Sequence, residues 1–331
     1  MNHSRRKLVL VGASALLAVP LMPRAQPNGR MRRIGVLMDL DADHPQAKPR
    51  IAALLEGLQR LGWSEGRNLR IDYRWGASEV SAIRKFAAAL IALTPDVLLA
   101  SGSLALTALR EASSTLPIVF VSVADPVGSG FVASLARPGG NATGFTVFDY
   151  SMSAKWLELL KQIAPGVTRV AVLRDTANAA GAGQFGAIQA VAPSFRVEVR
   201  PIDVRDAGEI QRTIAEFVRG PNAGLIVTGS SAASVHRELI IRLAAPHRLP
   251  TVYPYAHFAD AGGLIAYGPD LVAPFGRAAS YLDRILKGEK PGDLPVQAPT
   301  KYQLAVNLKT AKALGISIPK EILVRADHVI S

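Results

Sequence analysis

The sequence predicts an α/β fold: two doubly wound, parallel-sheet lobes joined by a hinge that the chain crosses more than once. Three observations lead to this prediction. Short apolar runs alternate with segments of helical period, and the alternation repeats about every 25–30 residues. It yields about nine or ten strands, whereas one sheet commonly has about four to six. Alternation of this kind is typical of parallel sheets covered by helices on both faces.

The first part of the chain follows the alternation from residue 33. Leu54 and Leu58 lie on one face of the first predicted helix, which Gly62 ends. Ser103 is placed to cap the helix that follows a buried strand. The strands are predicted at 33–38, 69–75, 96–100 and 117–123, and the helices at 51–61, at 80–90 and from 103 onward.

The second part repeats the pattern from about residue 156. Its strands are predicted at 169–173, 197–199, 224–227, 251–253 and 302–307, and its helices at 156–163, 180–192, 210–217, 235–243 and 271–285. An eight-unit TIM barrel is the alternative, and it would continue unbroken to the C-terminus. The proline-rich segment 291–331 breaks the rhythm, so two doubly wound lobes are favoured.

The N-terminus has the layout of a cleaved signal peptide over residues 1–25. Arg5, Arg6 and Lys7 precede an apolar run of about a dozen residues, against the roughly 20 that a spanning helix needs. Residues 4–9 also resemble a twin-arginine signal, so export by either the Sec or the Tat route stays open. The segment predicts a soluble protein in the periplasm.

Composition narrows the classes of function. The chain has no cysteine, which excludes disulfides, a thiol nucleophile and a lipoprotein anchor at the cleavage site. Removing Arg5, Arg6, Lys7 and Arg24 lowers the 38 basic residues to 34 against 26 acidic ones. No Lys/Arg block of the kind that follows nucleic acid remains, so a nucleic-acid partner is not expected.

Three groups of motifs carry a resemblance to a known family. They are residues 125–127 with 134–144, residues 262–270, and residues 285–296 with 307–315. Together they resemble the ABC transporter substrate-binding protein family, which includes tryptophan- and tyrosine-binding members, over residues 31–331. The resemblance implies a periplasmic-binding-protein fold of the leucine-binding type (type I-like) and a permease in the inner membrane as partner. A monomer is expected.

The predicted lobes are interleaved along the chain. Lobe 1 is expected to contain residues 31–144 plus about 269–301, and lobe 2 residues 145–268 plus about 302–331. Residues 135–141 are predicted to form the end of a helix followed by a sharp turn, because Pro138 cannot continue a helix and Gly139 and Gly140 tolerate positive φ. We therefore expect a hinge near Gly144.

Ligands of open α/β sheets bind beyond the carboxyl ends of the strands, beside helix N-termini. In lobe 1 the turn at 101–103 leaves a buried strand and opens a helix, so its hydroxyls and free N–H groups suit a carboxylate. His44 lies in a loop on the same side and is either a ligand contact or a surface histidine. The lobe 1 candidates are Asp39, His44, Ser101, Gly102, Ser103, Ser122 and Asp125.

The corresponding loops of lobe 2 supply the second wall of the predicted cleft. Tyr253 and Tyr255 lie two residues apart on a short strand and share a face, which suits a planar apolar ligand or, equally, a core. The lobe 2 candidates are Asp175, Asn178, Thr228, Ser230, Ser231, Tyr253 and Tyr255.

One loop departs from the family pattern. Amino-acid-binding members carry an Asp-Asn pair where this chain has Thr228, Gly229, Ser230 and Ser231. A buried ammonium group without a partner is costly, so the loop argues against a free amino acid. It favours a small, neutral or anionic organic solute, such as an aromatic or other carboxylate.

Catalytic signatures are missing from the sequence. It contains no G-x-x-x-x-G-K-[ST], no G-x-S-x-G and no histidine pair at metal-ligand spacing, so no cofactor, metal or catalytic residue is predicted. The expected function is the extracytoplasmic solute-binding component of an ABC importer. A ligand-binding sensor that signals to a membrane receptor is the alternative, followed by an α/β enzyme.

Overall fold

Two separate β-sheets organise the part of the chain that the structure describes, residues 30–177 and 179–331. The structure is a computed structural model. Residues Met31–Ser331 form one compact unit. The predicted signal peptide at 1–25 lies outside the described residues.

The first sheet has five parallel strands in the order β2-β1-β3-β4-β5. A helix follows each of the first three strands along the chain, as the hydrophobic rhythm predicts. The elements are β1 (Arg32–Met38), α1 (Ala47–Arg60), β2 (Leu69–Trp75), α2 (Val80–Ala92), β3 (Val97–Ser101), α3 (Ser103–Ala112), β4 (Ile118–Val123) and β5 (Ala142–Thr146).

Each face of this sheet has its own core, because successive side chains of a strand point to opposite faces. Ile34, Val36 and Met38 of β1 pack into one core with Leu54 of α1. Leu37 packs into the other core, which includes side chains of α2 and α3. The near-continuous apolar strands are therefore explained by burial on both faces.

The second sheet has seven strands in the order β12-β11-β10-β9-β8-β6-β7, and among them only β10 and β11 pair antiparallel. The remaining α-helices and strands of the described residues follow β5 along the chain. They are α4 (Ala154–Ile163), β6 (Arg169–Arg174), α5 (Ala179–Val191), β7 (Glu198–Asp203), α6 (Ala207–Phe217), β8 (Ala223–Val227), α7 (Ser231–Val235), α8 (Arg237–Ala244), β9 (Thr251–Tyr253), α9 (Ala256–Asp260), β10 (Ile265–Pro269), α10 (Ala273–Leu286), β11 (Tyr302–Asn307), α11 (Leu308–Leu314), α12 (Lys320–Arg325) and β12 (His328–Ile330).

The helix α10 belongs to the first sheet although it follows β10 of the second. It packs against α1, where the glycines Gly57 and Gly276 let the two backbones approach closely. Phe275 and Leu282 of α10 join the core beneath α1. The chain thus leaves the second sheet after β10, covers the first, and returns to form β11.

The chain passes between the sheets at three places: after Thr146, between β10 and α10, and between Gln297 and β11. The last segment lies beside β5, because the Thr146 N–H donates to the Gln297 carbonyl at 3.0 Å and the Gln297 N–H donates to the Gly144 carbonyl at 2.9 Å. The predicted boundary at 144/145 falls inside β5, so the first crossing begins at Val147.

The α/β fold with two parallel-dominated sheets is confirmed, and the TIM-barrel alternative is wrong because the sheets are separate and open. The helix end predicted at 135–141 is also wrong. The segment between β4 and β5 is an irregular loop, in which Ser134 Oγ accepts from the Arg137 N–H and the Ala133 N–H donates to the Pro138 carbonyl. The strand at 302–307 is confirmed as β11, whereas α11, α12 and β12 were not predicted.

The described helices, taken over residues 30–177 and 179–331, all lack the combination of length and apolar character that crossing a bilayer requires.

Candidate functional site

A cavity lies between the carboxyl ends of the two sets of strands. Its empty space, counting the part open to solvent, is about 540 Å³, and the centres of water molecules can occupy about 40 Å³ of it. The first sheet contributes Ser122 of β4 and residues that follow β1, β3, β4 and β5, and the second contributes residues that follow β6, β8, β9 and β10. The lining residues are Asp39, Leu40, Arg50, Gly102, Ser103, Leu104, Ser122, Ala124, Val147, Asp175, Ala180, Gly229, Ser230, Ser231, Ser234, Tyr255 and Leu271.

The structure brings eight of the predicted site residues into this lining. They are Asp39, Gly102, Ser103, Ser122, Asp175, Ser230, Ser231 and Tyr255. They were chosen from the sequence because ligands of parallel sheets bind at the edge where the strands end. Asn178 lies outside the described residues.

Asp39 connects the two sides of the cavity. Its carboxylate accepts from Ser101 Oγ of the first sheet at 3.1 Å, and from Ser231 Oγ at the start of α7 across the cavity. Only 4% of Asp39 is exposed, and this burial raises the pKa of the carboxyl group although both hydroxyls and Arg50 favour its charge.

A second contact crosses the same gap. His44 Nε2 lies 3.4 Å from the carbonyl oxygen of Ser234. Burial is the largest cause of the lowered pKa of His44, so the neutral ring with its proton on Nε2 suits a donated hydrogen bond to this carbonyl. Both contacts bring the loops of the two sheets together over the cavity.

Ser122 points to the cavity because the strand β4 is irregular there. The register of β4 against β5 shifts between Val121 and Val123, and Ser122 has a φ of 60°. A bulge of this kind redirects one side chain. Ser122 Oγ is buried and has no hydrogen-bond partner within the described residues.

The loop after β8 is held from behind by a buried glutamine. Gln184 Nε2 donates to the Gly229 carbonyl at 3.1 Å, and Gln184 Oε1 accepts from the Gly229 N–H at 2.8 Å. Ser230 Oγ then accepts from the Ala233 N–H and caps the short helix α7. The backbone at 229–231 is thereby fixed against the cavity.

Several predicted contacts have a different role. Ser101 is fully buried behind Asp39, Thr228 Oγ1 donates to the Leu173 carbonyl, and neither lines the cavity. Asp125 accepts from the Gly128 N–H in its own loop. These polar groups satisfy local backbone or side-chain partners rather than facing the open space.

Two predictions about local geometry are wrong. Ser103 is the first residue of α3 rather than its cap; the N-cap is Gly102, and no side chain caps this helix. Tyr253 and Tyr255 do not share a face, because β9 ends at Tyr253 and the alternation stops there. Tyr253 packs in the core against Phe258 at 5.2 Å, whereas Tyr255 lines the cavity.

The sequence prediction missed Arg50. This residue of α1 is 4% exposed, lines the cavity, and has a buried Nε without a hydrogen-bond partner in the part of the chain that the structure describes. Burial lowers the pKa of its guanidinium, which stays charged. A signal was present: Arg50 precedes Leu54 and Leu58 at helical spacing, so a cation stands on the apolar face of α1.

Asp175 provides a carboxylate on the side of the second sheet. It follows β6, is 1% exposed, and accepts from the Ala177 N–H at 2.9 Å. Burial raises the pKa of this carboxyl group. The cavity therefore contains acidic side chains from both sheets, although the loop 228–231 has none.

Comparisons with known proteins agree with this architecture. A tyrosine-binding protein of Clostridioides difficile (strain R20291) is 24% identical over 274 residues, which are 83% of this chain and 79% of that protein. A conserved domain protein from Vibrio cholerae O1 biovar El Tor is 26% identical, with a TM-score of 0.83 over 91% of this chain and 100% of that one.

Two further solved structures share the fold. The ABC domain in complex with L-Trp from Streptococcus pneumoniae has a TM-score of 0.83 at 24% identity, over 90% of this chain and 99% of that one. The ligand-free, open structure of a substrate-binding protein with adhesive properties from Clostridium difficile has a TM-score of 0.64 at 23% identity, over 91% and 99%.

The model of one family matches residues 34–330, which include every described element from β1 to β12 except the first two residues of β1. The resemblance inferred from the motifs is thereby confirmed, as is the periplasmic-binding-protein fold. The chain belongs to the ABC transporter substrate-binding protein family, whose members bind solutes rather than catalyse reactions.

Proposed function

We propose that this chain is the extracytoplasmic component of an ABC importer that captures a small organic solute between two closing lobes. One observation carries the proposal: the cavity is lined by strand-to-helix loops of both sheets, and Asp39 and Ser231 meet across it. A ligand in this position contacts both lobes only when they are closed. It therefore favours the closed state by the contacts that it gains there.

The proposed lobes are residues 31–146 plus about 269–301, and residues 147–268 plus about 302–331, because the predicted boundary at 144/145 falls inside β5. The three crossings absorb the rotation. In this proposal residues 1–25 are a cleaved export signal and the mature chain acts as a periplasmic monomer. The closed form delivers its cargo to an inner-membrane permease.

The ligand class that we propose is a small organic acid, with an aromatic portion against Tyr255. The relatives provide context, since one is named a tyrosine-binding protein and another contains L-Trp. The absence of a carboxylate from the loop 228–231 was the reason for not expecting an amino acid as the ligand. That argument loses force because Asp39 and Asp175 line the same cavity, where either carboxylate suits an ammonium group. Aromatic carboxylates with or without an α-amino group are therefore included.

The test begins with the protein as it is purified under native conditions. Small molecules released from it are identified by mass spectrometry, and the identified compound is added back to the emptied protein during small-angle X-ray scattering. We expect a smaller radius of gyration with the compound than without it, and no turnover of the compound. A compound that binds tightly without compaction would contradict closure, and turnover would contradict a transport role.

A further inference from the structure

Arg50 is a buried cation whose position demands an explanation. The guanidinium lies in the lining of the cavity, and only 4% of the residue is exposed. Moving a charged group out of water is costly unless it is paired. A buried arginine is therefore expected to have either a carboxylate partner in the protein or a ligand.

The described part of the chain provides no direct ionic partner for Arg50. No carboxylate oxygen of residues 30–177 and 179–331 forms an ion pair with it within 4.0 Å, and its Nε has no hydrogen bond. The groups that interact with it from further away are Asp39, Tyr255 and Asp270. Its guanidinium carbon also lies 5.8 Å from the centre of the Phe275 ring.

Asp39 has partners other than Arg50. Hydroxyls of Ser101 and Ser231 donate to its two carboxylate oxygens. The carboxylate also lies against Gly102, at the N-terminus of α3, where the helix dipole favours negative charge. Asp39 therefore makes its direct hydrogen bonds with Ser101 and Ser231, and the cation of Arg50 is left for a group in the cavity.

Two further features of the cavity supply hydrogen-bond donors. The helix α3 has ten residues and no side-chain cap, and its first residues, Ser103 and Leu104, line the cavity. First-turn N–H groups have no partner within their helix. Ser122 Oγ, buried and unpartnered, faces the same space.

We propose that Arg50 is the charge-selecting residue of the ligand site: it receives the carboxylate of an organic acid, with Ser122 and the first turn of α3 as additional donors. The proposal rests on the proposed function in one respect, namely that this cavity is the ligand site. A planar guanidinium matches a carboxylate with two parallel hydrogen bonds.

The surrounding charges favour a singly charged ligand group. Asp39 and Asp175 line the same cavity as Arg50, and they would repel a dianion such as phosphate more strongly than a monoanion. The site therefore selects one carboxylate against both an uncharged amide of the same shape and inorganic phosphate. This preference goes beyond the general binding of a small solute.

The experiment compares carboxylates with their own amides. Dissociation constants are measured by calorimetry for two pairs, benzoate with benzamide and 3-(4-hydroxyphenyl)propanoate with its amide, and for inorganic phosphate, at constant ionic strength. In the unmodified protein we expect at least one carboxylate to bind about tenfold or more tightly than its amide, since hydrogen bonds to charged groups are the stronger ones. Phosphate is expected to bind more weakly than that carboxylate.

In the variant Arg50→Gln, the dissociation constants of a carboxylate and its amide should become nearly equal, so that their ratio is close to one. Arg50→Lys should restore part of the preference for the carboxylate. Arg242→Gln, an exposed arginine on α8 that does not line the cavity, is the matched control and should leave the ratio unchanged. Circular dichroism and thermal melting check that each variant is folded. If Arg50→Gln does not fold, the ratio measured in the unmodified protein still decides.

The outcomes separate this inference from the proposed function. The role of Arg50 is wrong, and solute binding stands, if a carboxylate and its amide bind equally and both compact the protein. The same conclusion follows if no carboxylate probe binds but the compound released from the purified protein binds and carries no anionic group. If neither the probes nor any released compound bind, both proposals fail.

Discussion

Gly102 and Asp39 restrict each other where β3 passes into α3. Gly102 has a φ of 87°, which disfavours any side chain, and a Cβ built there would collide with Oδ2 of Asp39. A larger residue would displace the carboxylate from Ser101 and Ser231. The close approach at this one position therefore allows Asp39 to reach both sides of the cavity.

His257 gives the protein a predictable dependence on pH. The ring stacks on Tyr255 at 5.7 Å, its Nε2 is buried without a partner among the described residues, and burial lowers the pKa to about 3. The unfolded chain has a histidine pKa of about 6.5. Because the unfolded state then binds the proton first, the free energy of unfolding falls as the pH decreases from about 6.5 toward 3.

We predict that this histidine removes about 2 kcal/mol from the free energy of unfolding between pH 7 and pH 5. Urea unfolding at the two pH values measures it. His257→Gln should reduce the loss by about that amount, whereas His247→Gln, at an exposed position, should change it little. An unchanged pH dependence in His257→Gln would show that the buried ring is not its source.

The packing of helix α10 on helix α1 depends on small residues at their contact. A Cβ at Gly57 would lie 2.6 Å from the Gly276 carbonyl oxygen and 2.7 Å from Ala279 Cβ. Both distances are shorter than packed atoms tolerate, so the helices would have to separate. This pair of helices keeps α10 on the first sheet although α10 follows a strand of the second.

We predict opposite effects for the same substitution in two helices. Gly57→Ala should lower the free energy of unfolding by about 1–2 kcal/mol, because overpacking costs about 1–3 kcal/mol and outweighs the helical preference of alanine. Gly186→Ala in α5, where an added Cβ meets nothing within 4 Å, should raise it by about 0.5–1 kcal/mol. Urea titrations decide, and a Gly57→Ala protein as stable as the parent would refute the tight contact.

The proposed closure involves the whole molecule, and the contact between Asp39 and Ser231 links the two sides of the cavity directly. We predict that Ser231→Asp disfavours the closed state, because two carboxylates would then face each other across the cavity. Binding of the compound released from the purified protein should weaken about tenfold or more, and scattering should show less compaction at equal ligand concentration.

The matched control for closure is Ser231→Ala, which removes the hydroxyl without adding charge. It should weaken binding much less than Ser231→Asp, and both variants should keep a similar melting temperature because neither changes a core residue. If the two variants weaken binding equally, the effect belongs to the lost hydroxyl, and electrostatic control of closure is wrong.

The sequence alone determined the class of fold, most of the elements and the edge on which the site lies. Periodicity reports which face of a helix or strand is buried, and parallel strands bring the loops after β1, β3, β6 and β8 to common edges. For this reason Asp39, Ser103, Asp175 and Ser231, which follow different strands, line one cavity. Their contact with a ligand stays a prediction. The family motifs identified the type of protein.

Only the tertiary structure decided which side chains face the cavity and with what charge. Arg50 lines the cavity because of where α1 packs. Tyr253 does not line it, because β9 ends at this residue and its ring packs against Phe258. Local sequence fixes neither, since both depend on contacts between elements distant along the chain. The physical reason is that periodicity describes one element at a time, whereas burial, partners and pKa depend on all the elements around a side chain.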